Sequence, residues 1–268
     1  MTEILKAIVL GIVEGITEWI PISSTGHMIL VDEFMHLNVS DDFLTMFLVV
    51  IQLGAIMAVV VSFWKKLWPF SAKEPHVKMD SIMTWLKVAL ACIPAAVIGF
   101  FLDDWADEHL YKPVVVGAAL IAFGIWFLVI ENKEKTAKVN SVEELSFKQA
   151  LIIGCFQLFA FIPGTSRSGS TIIGGLSIGT SRSAAAEFTF WLAIPIMAGA
   201  SFLKLIKFGR AMVAMEWAVL LAGSITAFIV SLVCIKFFMK FVKTHSFKAF
   251  GWYRIILGAV VLAYFLFF

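Results

Sequence analysis

Two segments of this apolar chain concentrate residues whose types and spacing could carry chemistry. The first, Gly11 to His27, reads GIVEGITEWIPISSTGH, and the second, Gly154 to Thr171, reads GCFQLFAFIPGTSRSGST. Each is an apolar stretch with embedded polar groups that runs into a proline and then into serine, threonine and glycine. Because polar and charged groups are costly at membrane depth, such segments predict a functional site.

Glu14 and Glu18 of the first segment lie one helical turn apart, on the same helix face as Gly11. Two carboxylates this close and partly removed from water should not both ionise freely unless a cation lies between them. The pair therefore predicts either a general base with its partner or oxygen ligands for a divalent cation, Mg²⁺ or Ca²⁺. The structural alternative is a pair of carboxylates that accept hydrogen bonds from neighbouring hydroxyls or backbone amides.

The loop after Pro21 is rich in small hydroxyl residues and leads into a new helix. Backbone N–H groups at a helix start favour an anion, and Ser23 and Thr25 offer further donors to a phosphate. His27 follows Ser24 by three residues, a spacing that would let a serine nucleophile pair with an imidazole base. A hydrogen-bonded structural histidine is the alternative.

The second segment centres on Arg167, which lies between Ser166 and Ser168. A guanidinium keeps its proton and presents a planar fork of donors suited to phosphate oxygens, so Arg167 is the predicted phosphate clamp. Gly164 lets the backbone approach a ligand closely, while the hydroxyls of Ser166, Ser168 and Thr171 can donate hydrogen bonds to it. An arginine that merely anchors a loop at the membrane surface is the alternative.

The composition of the chain predicts a membrane protein. Hydrophobic residues make up 60% of the 268 residues and charged residues only 15%, which is more apolar material than a soluble core could hide. The net charge of +2 gives no reason to expect a nucleic-acid partner. Cys92, Cys155 and Cys234 lie in apolar stretches without paired spacing, so we interpret them as small buried hydrophobes rather than as disulfides or zinc ligands.

Six runs of the sequence are apolar enough to cross a bilayer, which takes about 20 helical residues. They are residues 43–64, 84–102, 113–131, 187–206, 216–238 and 251–268. The two segments with chemistry, within 4–36 and 149–180, are instead pairs of short apolar pieces broken at a proline. Because irregular backbone at membrane depth must be shielded by protein, we predict two re-entrant helical hairpins; a single crossing by residues 4–36 is the alternative.

The predicted fold class is therefore an all-α polytopic membrane protein, with six transmembrane helices and two re-entrant hairpins in a single domain, residues 1–268. Each half, 1–138 and 139–268, contains one hairpin followed by three crossings. An odd number of crossings inverts the second half relative to the first, so the hairpins should meet head-on inside the membrane. Inverted repeats with broken helices are typical of transporters, which keeps a transport function open.

The distribution of lysine and arginine among the loops predicts the orientation. When the loops at 65–81, 131–148, 179–186 and 236–250 share one side, that side collects thirteen basic residues and the opposite side five. The positive-inside rule makes the first set cytoplasmic. Both termini and the mouth of the first hairpin should then face outward.

EGITEWIPISSTGH at 14–27 and PGTSRSGST at 163–171 resemble the two signatures of the bacterial undecaprenyl diphosphate phosphatase family of the bacitracin-resistance type. The resemblance covers nearly the whole chain in length and motif separation. It implies a multi-pass enzyme of the bacterial plasma (inner) membrane that hydrolyses undecaprenyl diphosphate to undecaprenyl phosphate and inorganic phosphate. Such an enzyme recycles the lipid carrier for peptidoglycan synthesis and confers bacitracin resistance. A polyprenyl-phosphate flippase that uses the same pocket is the alternative.

The resemblance implies functional roles for seven residues, namely Glu14, Glu18, Ser24, His27, Ser166, Arg167 and Thr171. Combined with the residue chemistry, it leads to a hypothesis in which Ser24 attacks the phosphate or orients a water, while His27 as the nucleophile stays open. His27 would handle the proton and Glu18 would set its tautomer, while Glu14 and Glu18 would hold Mg²⁺ or Ca²⁺.

The same hypothesis predicts how the substrate approaches. The diphosphate head would enter from the outer face, and the polyprenyl tail would stay among the membrane lipids. A homodimer is left open as a further partnership.

Overall fold

The structure, a computed structural model, describes residues 2–71, 76–132 and 136–267, without the side chains at positions 32, 100, 103, 104 and 107. Within these ranges the chain forms ten α-helices and a short 3₁₀ turn at Gln157–Phe161, and no strand. The helices are α1 (Glu3–Thr17), α2 (Ser24–Phe34), α3 (Asp41–Leu67), α4 (Met79–Leu110), α5 (Pro113–Glu131), α6 (Phe147–Phe156), α7 (Arg167–Ser177), α8 (Arg182–Phe208), α9 (Ala214–Thr244) and α10 (Lys248–Phe267).

Six of the described helices are long and apolar enough to cross a membrane: α3, α4 over Met79–Gly99, α5, α8, α9 and α10. They confirm the six predicted crossings and make the chain a multi-pass membrane protein. Large apolar side chains remain uncovered along these helices, for example Val61, Ile93, Ile125 and Val233. Such exposure would be unfavourable in water but is favourable in lipid, where apolar side chains keep apolar neighbours.

The two segments with chemistry are each a pair of short helices interrupted near a proline. In the first, α1 ends at Thr17 and α2 begins at Ser24; in the second, the 3₁₀ turn ends at Phe161 and α7 begins at Arg167. Proline has no N–H to donate, so a proline inside a helix leaves one backbone hydrogen bond unmade. Interrupting the helices near the two prolines avoids this loss. We call residues 18–23 the first elbow and residues 162–166 the second elbow.

Glycines bring α5 and α10 into close contact beside the elbows. A methyl group on Gly124 would lie 2.7 Å from Gly251 O, and one on Gly258 would lie 2.6 Å from Gly117 O. In lipid, helix association depends on close packing more than on the hydrophobic effect, and small residues allow it. This contact holds α10 closely against α5.

A buried apolar cluster surrounds the first elbow and α7. Trp19 is fully buried, with its ring 5.2 Å from that of Phe190 in an edge-on arrangement. Phe127 of α5 and Ile172 of α7 belong to the same cluster. The first elbow and α7 are therefore embedded among side chains of four other helices, α3, α5, α8 and α9, rather than lying at the surface of the bundle.

The interpretation of the cysteines was correct only in part. All three are free thiols, but Cys155 is exposed, Cys92 is half-buried and only Cys234 is buried. The prediction of burial is wrong for Cys155 because an apolar position on a lipid-facing helix surface does not need to be covered by protein.

Some residues used to predict the orientation lie outside the described part of the chain. These are Lys73, Lys133 and Lys135. The side chains of Asp32, Asp103, Asp104 and Asp107 are also outside it.

Candidate active site

Both elbows end in the same kind of helix cap. Ser23 precedes α2 and Ser166 precedes α7, and in the described ranges they are the only non-glycine residues with positive φ, at 72° and 69°. Ser23 Oγ accepts a hydrogen bond from Gly26 N–H at 3.3 Å, and Ser166 Oγ accepts one from Gly169 N–H at 3.2 Å. A strained backbone of this kind costs about 1–3 kcal/mol per residue and is concentrated at functional sites. Each elbow thus presents a helix start, where backbone N–H groups favour an anion.

Glu18 connects the two elbows electrostatically. Arg167 Nη2 donates to Glu18 Oε1 at 2.9 Å across 149 residues of sequence, and the two side chains are only 11% and 8% exposed. Ser24 Oγ donates to the other carboxylate oxygen, Oε2, at 2.9 Å. Arg167 therefore supplies a cation of the kind that the neighbouring carboxylates Glu14 and Glu18 are expected to need in order to ionise. The Ser24 O–H donates to Glu18, whereas the sequence spacing predicts His27 as its partner.

Several buried polar atoms of this site have no hydrogen-bond partner in the protein, among them Glu14 Oε1, Arg167 Nε and Arg254 Nε. Glu14 is 1% exposed. An unpaired buried polar group costs about 1–3 kcal/mol, so a folded protein keeps one mostly where a ligand, ion or water completes it. A carboxylate oxygen suits a cation and a guanidinium N–H suits an anion, as a phosphate with a metal ion would require.

His27 is held by groups other than Ser24 and Glu18. Its Nδ1 lies 2.7 Å from Ser23 O, and its Nε2 lies 2.7 Å from Tyr253 Oη. A carbonyl oxygen only accepts, so in the neutral ring Nδ1 donates to Ser23 O and Nε2 accepts from the tyrosine O–H. The Ser23 carbonyl therefore sets the tautomer, a role that we had expected of Glu18. Nε2, which carries the lone pair, is the atom that can take a proton.

Two of the predicted phosphate ligands hold the site together instead of facing a ligand. Ser168 Oγ donates to Glu18 O at 3.1 Å, and Thr171 Oγ1 lies 2.8 Å from Thr189 Oγ1 while it also donates to Arg167 O at 3.0 Å. Both hydroxyl residues are buried. Their bonds attach α7 to the first elbow and to α8.

Of the remaining predicted phosphate ligands, Ser23 and Gly164 are buried, whereas Thr25 and Ser166 are half-buried. Gly164 has a φ of 97°, and a methyl group there would lie 2.5 Å from Val116 O, so both its conformation and its close approach require glycine. The half-buried hydroxyl residues are Ser24, Thr25 and Ser166.

Sequence reasoning missed two residues of α10, Tyr253 and Arg254. Tyr253 stacks on the His27 ring at 5.6 Å between centroids and bonds its Nε2. Arg254 is fully buried and donates to the backbone carbonyls of both elbows. A signal was present, because a charged residue inside an apolar crossing is a functional hypothesis by default. The signal does not connect Arg254 to the elbows, because Arg254 lies far from both motifs in the sequence.

Fold and site together define a polytopic membrane protein in which two broken helix pairs bring carboxylate, guanidinium, hydroxyl and imidazole groups to one buried place. Comparison with known proteins agrees with this description. The chain matches the model of the bacitracin resistance protein BacA family over residues 7–260, and it belongs to that family.

Curated relatives are similar over almost the full chain. An undecaprenyl-diphosphatase of Enterococcus faecalis is 57% identical over 97% of this chain and 96% of the relative. Proteins with the same name from Acetivibrio thermocellus and Desulfitobacterium hafniense are 56% and 57% identical, each over 99% of this chain and over 99% and 97% of the relatives.

Proposed function

We propose that this protein is a membrane phosphatase that hydrolyses undecaprenyl diphosphate to undecaprenyl phosphate and inorganic phosphate. The reaction recycles the lipid carrier for cell-wall synthesis and confers bacitracin resistance. One observation carries the proposal: Glu18 binds Arg167, which begins α7 directly after the second elbow, and the Ser24 hydroxyl at the same time, at 2.9 Å each. The similarity to proteins named undecaprenyl-diphosphatase supports the choice of substrate.

Arg167 and the starts of α2 and α7 bind the diphosphate in this proposal. The Nε of Arg167 has no protein partner and can donate to a phosphate oxygen. The phosphate contacts are completed by the hydroxyls of Thr25 and Ser166 and by the backbone of Gly164. Phosphoryl transfer depends mainly on positioning and on stabilising charge, and these donors supply both.

Ser24 is the proposed nucleophile and Glu18 its base. Ser24 Oγ bonds to the terminal phosphorus, the bridging P–O bond breaks, undecaprenyl phosphate leaves, and the serine proton passes to Glu18 Oε2. A water then attacks the phosphoserine and gives its proton to the Tyr253 hydroxyl, whose own proton passes to His27 Nε2 at 2.7 Å. The departing Ser24 oxygen recovers its proton from Glu18, and inorganic phosphate is released.

A divalent cation, Mg²⁺ or Ca²⁺, fits this site at Glu14. Among the described residues no cluster of three or more His, Cys, Asp or Glu forms a complete metal site. Mg²⁺ usually keeps several waters and uses one or two carboxylates plus substrate phosphates, which the unpaired Glu14 Oε1 allows. Both Glu18 oxygens are engaged by Arg167 and Ser24, so Glu14 would hold the ion and Glu18 would be its weaker ligand. When bound, the ion would neutralise charge on the diphosphate.

In the membrane, we propose that the broken helix pairs are re-entrant hairpins of an inverted repeat, residues 1–138 and 139–268 of one domain. The shared caps at Ser23 and Ser166 support this arrangement. The positive-inside rule supports a pocket that opens outward and termini that lie outside. Cysteine labelling from each side of the membrane, close to His27 and Arg167, tests the orientation; labelling only from the cytoplasm would contradict it.

Phosphate release by the purified protein in detergent tests the function. We expect hydrolysis of a polyprenyl diphosphate with Mg²⁺ present, whereas a flippase would need two compartments and would release no phosphate. Acid quenching of a reaction with labelled terminal phosphate, followed by mass spectrometry, should find phosphoserine at position 24. Phosphate release that survives in Ser24→Ala would remove serine from the nucleophile's role.

A further inference from the structure

Arg254 links the two elbows from α10. Its Nη1 donates to Pro21 O at 3.1 Å, and its Nη2 donates to Gly164 O and Thr165 O at 2.8 Å each. The residue is fully buried inside a crossing helix. Within the described ranges its guanidinium forms no ion pair with a carboxylate, and all its hydrogen bonds go to backbone carbonyls of the elbows.

We propose that Arg254 is a positioning residue, which holds the two elbows in one arrangement so that their phosphate-binding groups converge. This inference rests on the proposed function. The residue does not need to contact the substrate. Its effect would pass through the elbow backbone to Arg167, Ser24 and Glu18.

The bonded carbonyls lie directly beside the strained residues. Thr165 immediately precedes Ser166, and Pro21 lies two residues before Ser23, the other serine with positive φ. A backbone held in such a conformation persists only where its surroundings over-determine it. Because a trans peptide points its C=O and the next N–H in opposite directions, the bond from Arg254 to Thr165 O also turns the Ser166 N–H away from α10.

The packing around Arg254 leaves it little room to move. A methyl group on Gly169 would lie 3.1 Å from Arg254 Nη1, and the residue lies on α10 between Gly251 and Gly258, which contact α5 closely. The guanidinium also lies 5.7 Å above the Phe123 ring and 6.0 Å above the Phe127 ring. A buried charge costs several kcal/mol unless it is compensated, so its retention calls for a specific purpose.

Lysine cannot replace arginine in this role. It presents a compact ammonium rather than a planar fork, so it keeps the charge but cannot span carbonyls of both elbows with the same geometry. Misplacement of reacting groups by about 1 Å can cost about 100-fold in rate. We therefore expect Arg254→Lys to lower kcat by about 100-fold while the protein remains folded.

The test measures kcat and KM for phosphate release per folded molecule, with thermal unfolding and gel filtration in detergent. Arg210→Lys is the matched control, because Arg210 bonds Glu216 at the end of a crossing helix, outside the site, and we expect its kcat to stay within about threefold of wild type. If Arg254→Lys does not fold, Arg254→Gln is judged by the same criterion. Wild-type kcat in a folded Arg254 variant would overturn the positioning role.

A double-mutant cycle separates positioning from an independent effect. If Arg254 acts through the elbow that carries Arg167, Arg254→Lys should reduce kcat by less than about threefold in an Arg167→Lys background, because the geometry is already lost. Losses that multiply would contradict the proposal. An inactive wild-type protein would refute the phosphatase function itself, and that outcome is distinct from either result with the variants.

Discussion

Substitution of Glu18 by glutamine removes the charge that connects the elbows and leaves the shape of the side chain intact. Glu18 accepts from Arg167 and from Ser24 at 2.9 Å each, in a place where the two charged side chains are 11% and 8% exposed. In Glu18→Gln, Arg167 remains buried without its counter-charge. Loss of one partner from a buried ion pair costs about 3–5 kcal/mol, and since the amide keeps one acceptor, we expect a value of about 3 kcal/mol.

The same substitution should affect catalysis more than stability. An amide does not take the Ser24 proton, and removal of a general base lowers rates by about 100-fold to 10,000-fold. Glu18→Gln should therefore lose at least about 100-fold in kcat at temperatures where it is fully folded. A thermal unfolding series in detergent and phosphate release per folded molecule measure the two effects separately.

Glu187→Gln provides the matched control for Glu18→Gln. Glu187 accepts from Lys66 at 2.6 Å, but the lysine side chain is 49% exposed, so this pair should contribute less than about 1 kcal/mol. We expect Glu187→Gln to keep wild-type kcat. If Glu18→Gln were no less stable than Glu187→Gln and retained its kcat within threefold, neither the buried pair nor the general base could have the importance assigned here.

Three further predictions concern other parts of the site. Tyr253→Phe keeps the ring stacked on His27 but removes the hydrogen bond to Nε2. The value of kcat should therefore fall about fivefold, the equivalent of one hydrogen bond, while the unfolding temperature stays unchanged. An unchanged kcat would exclude the contact from catalysis. Gly164→Ala adds a methyl group 2.5 Å from a backbone oxygen, at a residue with positive φ, and should lower the unfolding temperature. Gly199→Ala, where the methyl group would meet open space, should not lower it. Equal effects of the two substitutions would refute the close approach at Gly164. A chelator should abolish phosphate release, and Mg²⁺ should restore it. Glu14→Gln should require a higher Mg²⁺ concentration than wild type for half-maximal activity. If both proteins required the same concentration, Glu14 would not be a ligand of the ion.

The sequence predicted the crossings and the elbows because their signals are local. An apolar run of bilayer length has few alternatives to a helix, and Pro21 and Pro163 mark where the short helices stop. The residue types in the elbows also indicated a site for an anion. These features depend on neighbouring residues alone, so one sequence is enough to find them.

The hydrogen bonds inside the site could not be predicted in this way. Spacing suggested that Ser24 would pair with His27, whereas Ser24 donates to Glu18 and His27 bonds Ser23 O and Tyr253. The reason is that α2 begins at Ser24 itself, and the direction of its first side chains is set by the strained cap at Ser23. Neither the positive φ nor the approach of α10 is encoded in the spacing of the motif.

The charges of the site also give a reason to expect that the proposed diphosphate substrate requires a cation. Glu14 and Glu18 formally balance Arg167 and Arg254, all within or beside the elbows, so the resting site holds no surplus of positive charge. A diphosphate brings several negative charges into surroundings where unpaired charge is expensive. The Nη atoms of Arg254 are already committed to carbonyls, and of the two guanidinium groups only the Nε atoms of Arg167 and Arg254 lack a protein partner. A divalent cation at Glu14 that arrives with the diphosphate would restore neutrality. We therefore expect phosphate release to depend on the metal. The stability of the fold should not depend on it, because the charges of the resting site balance without the ion.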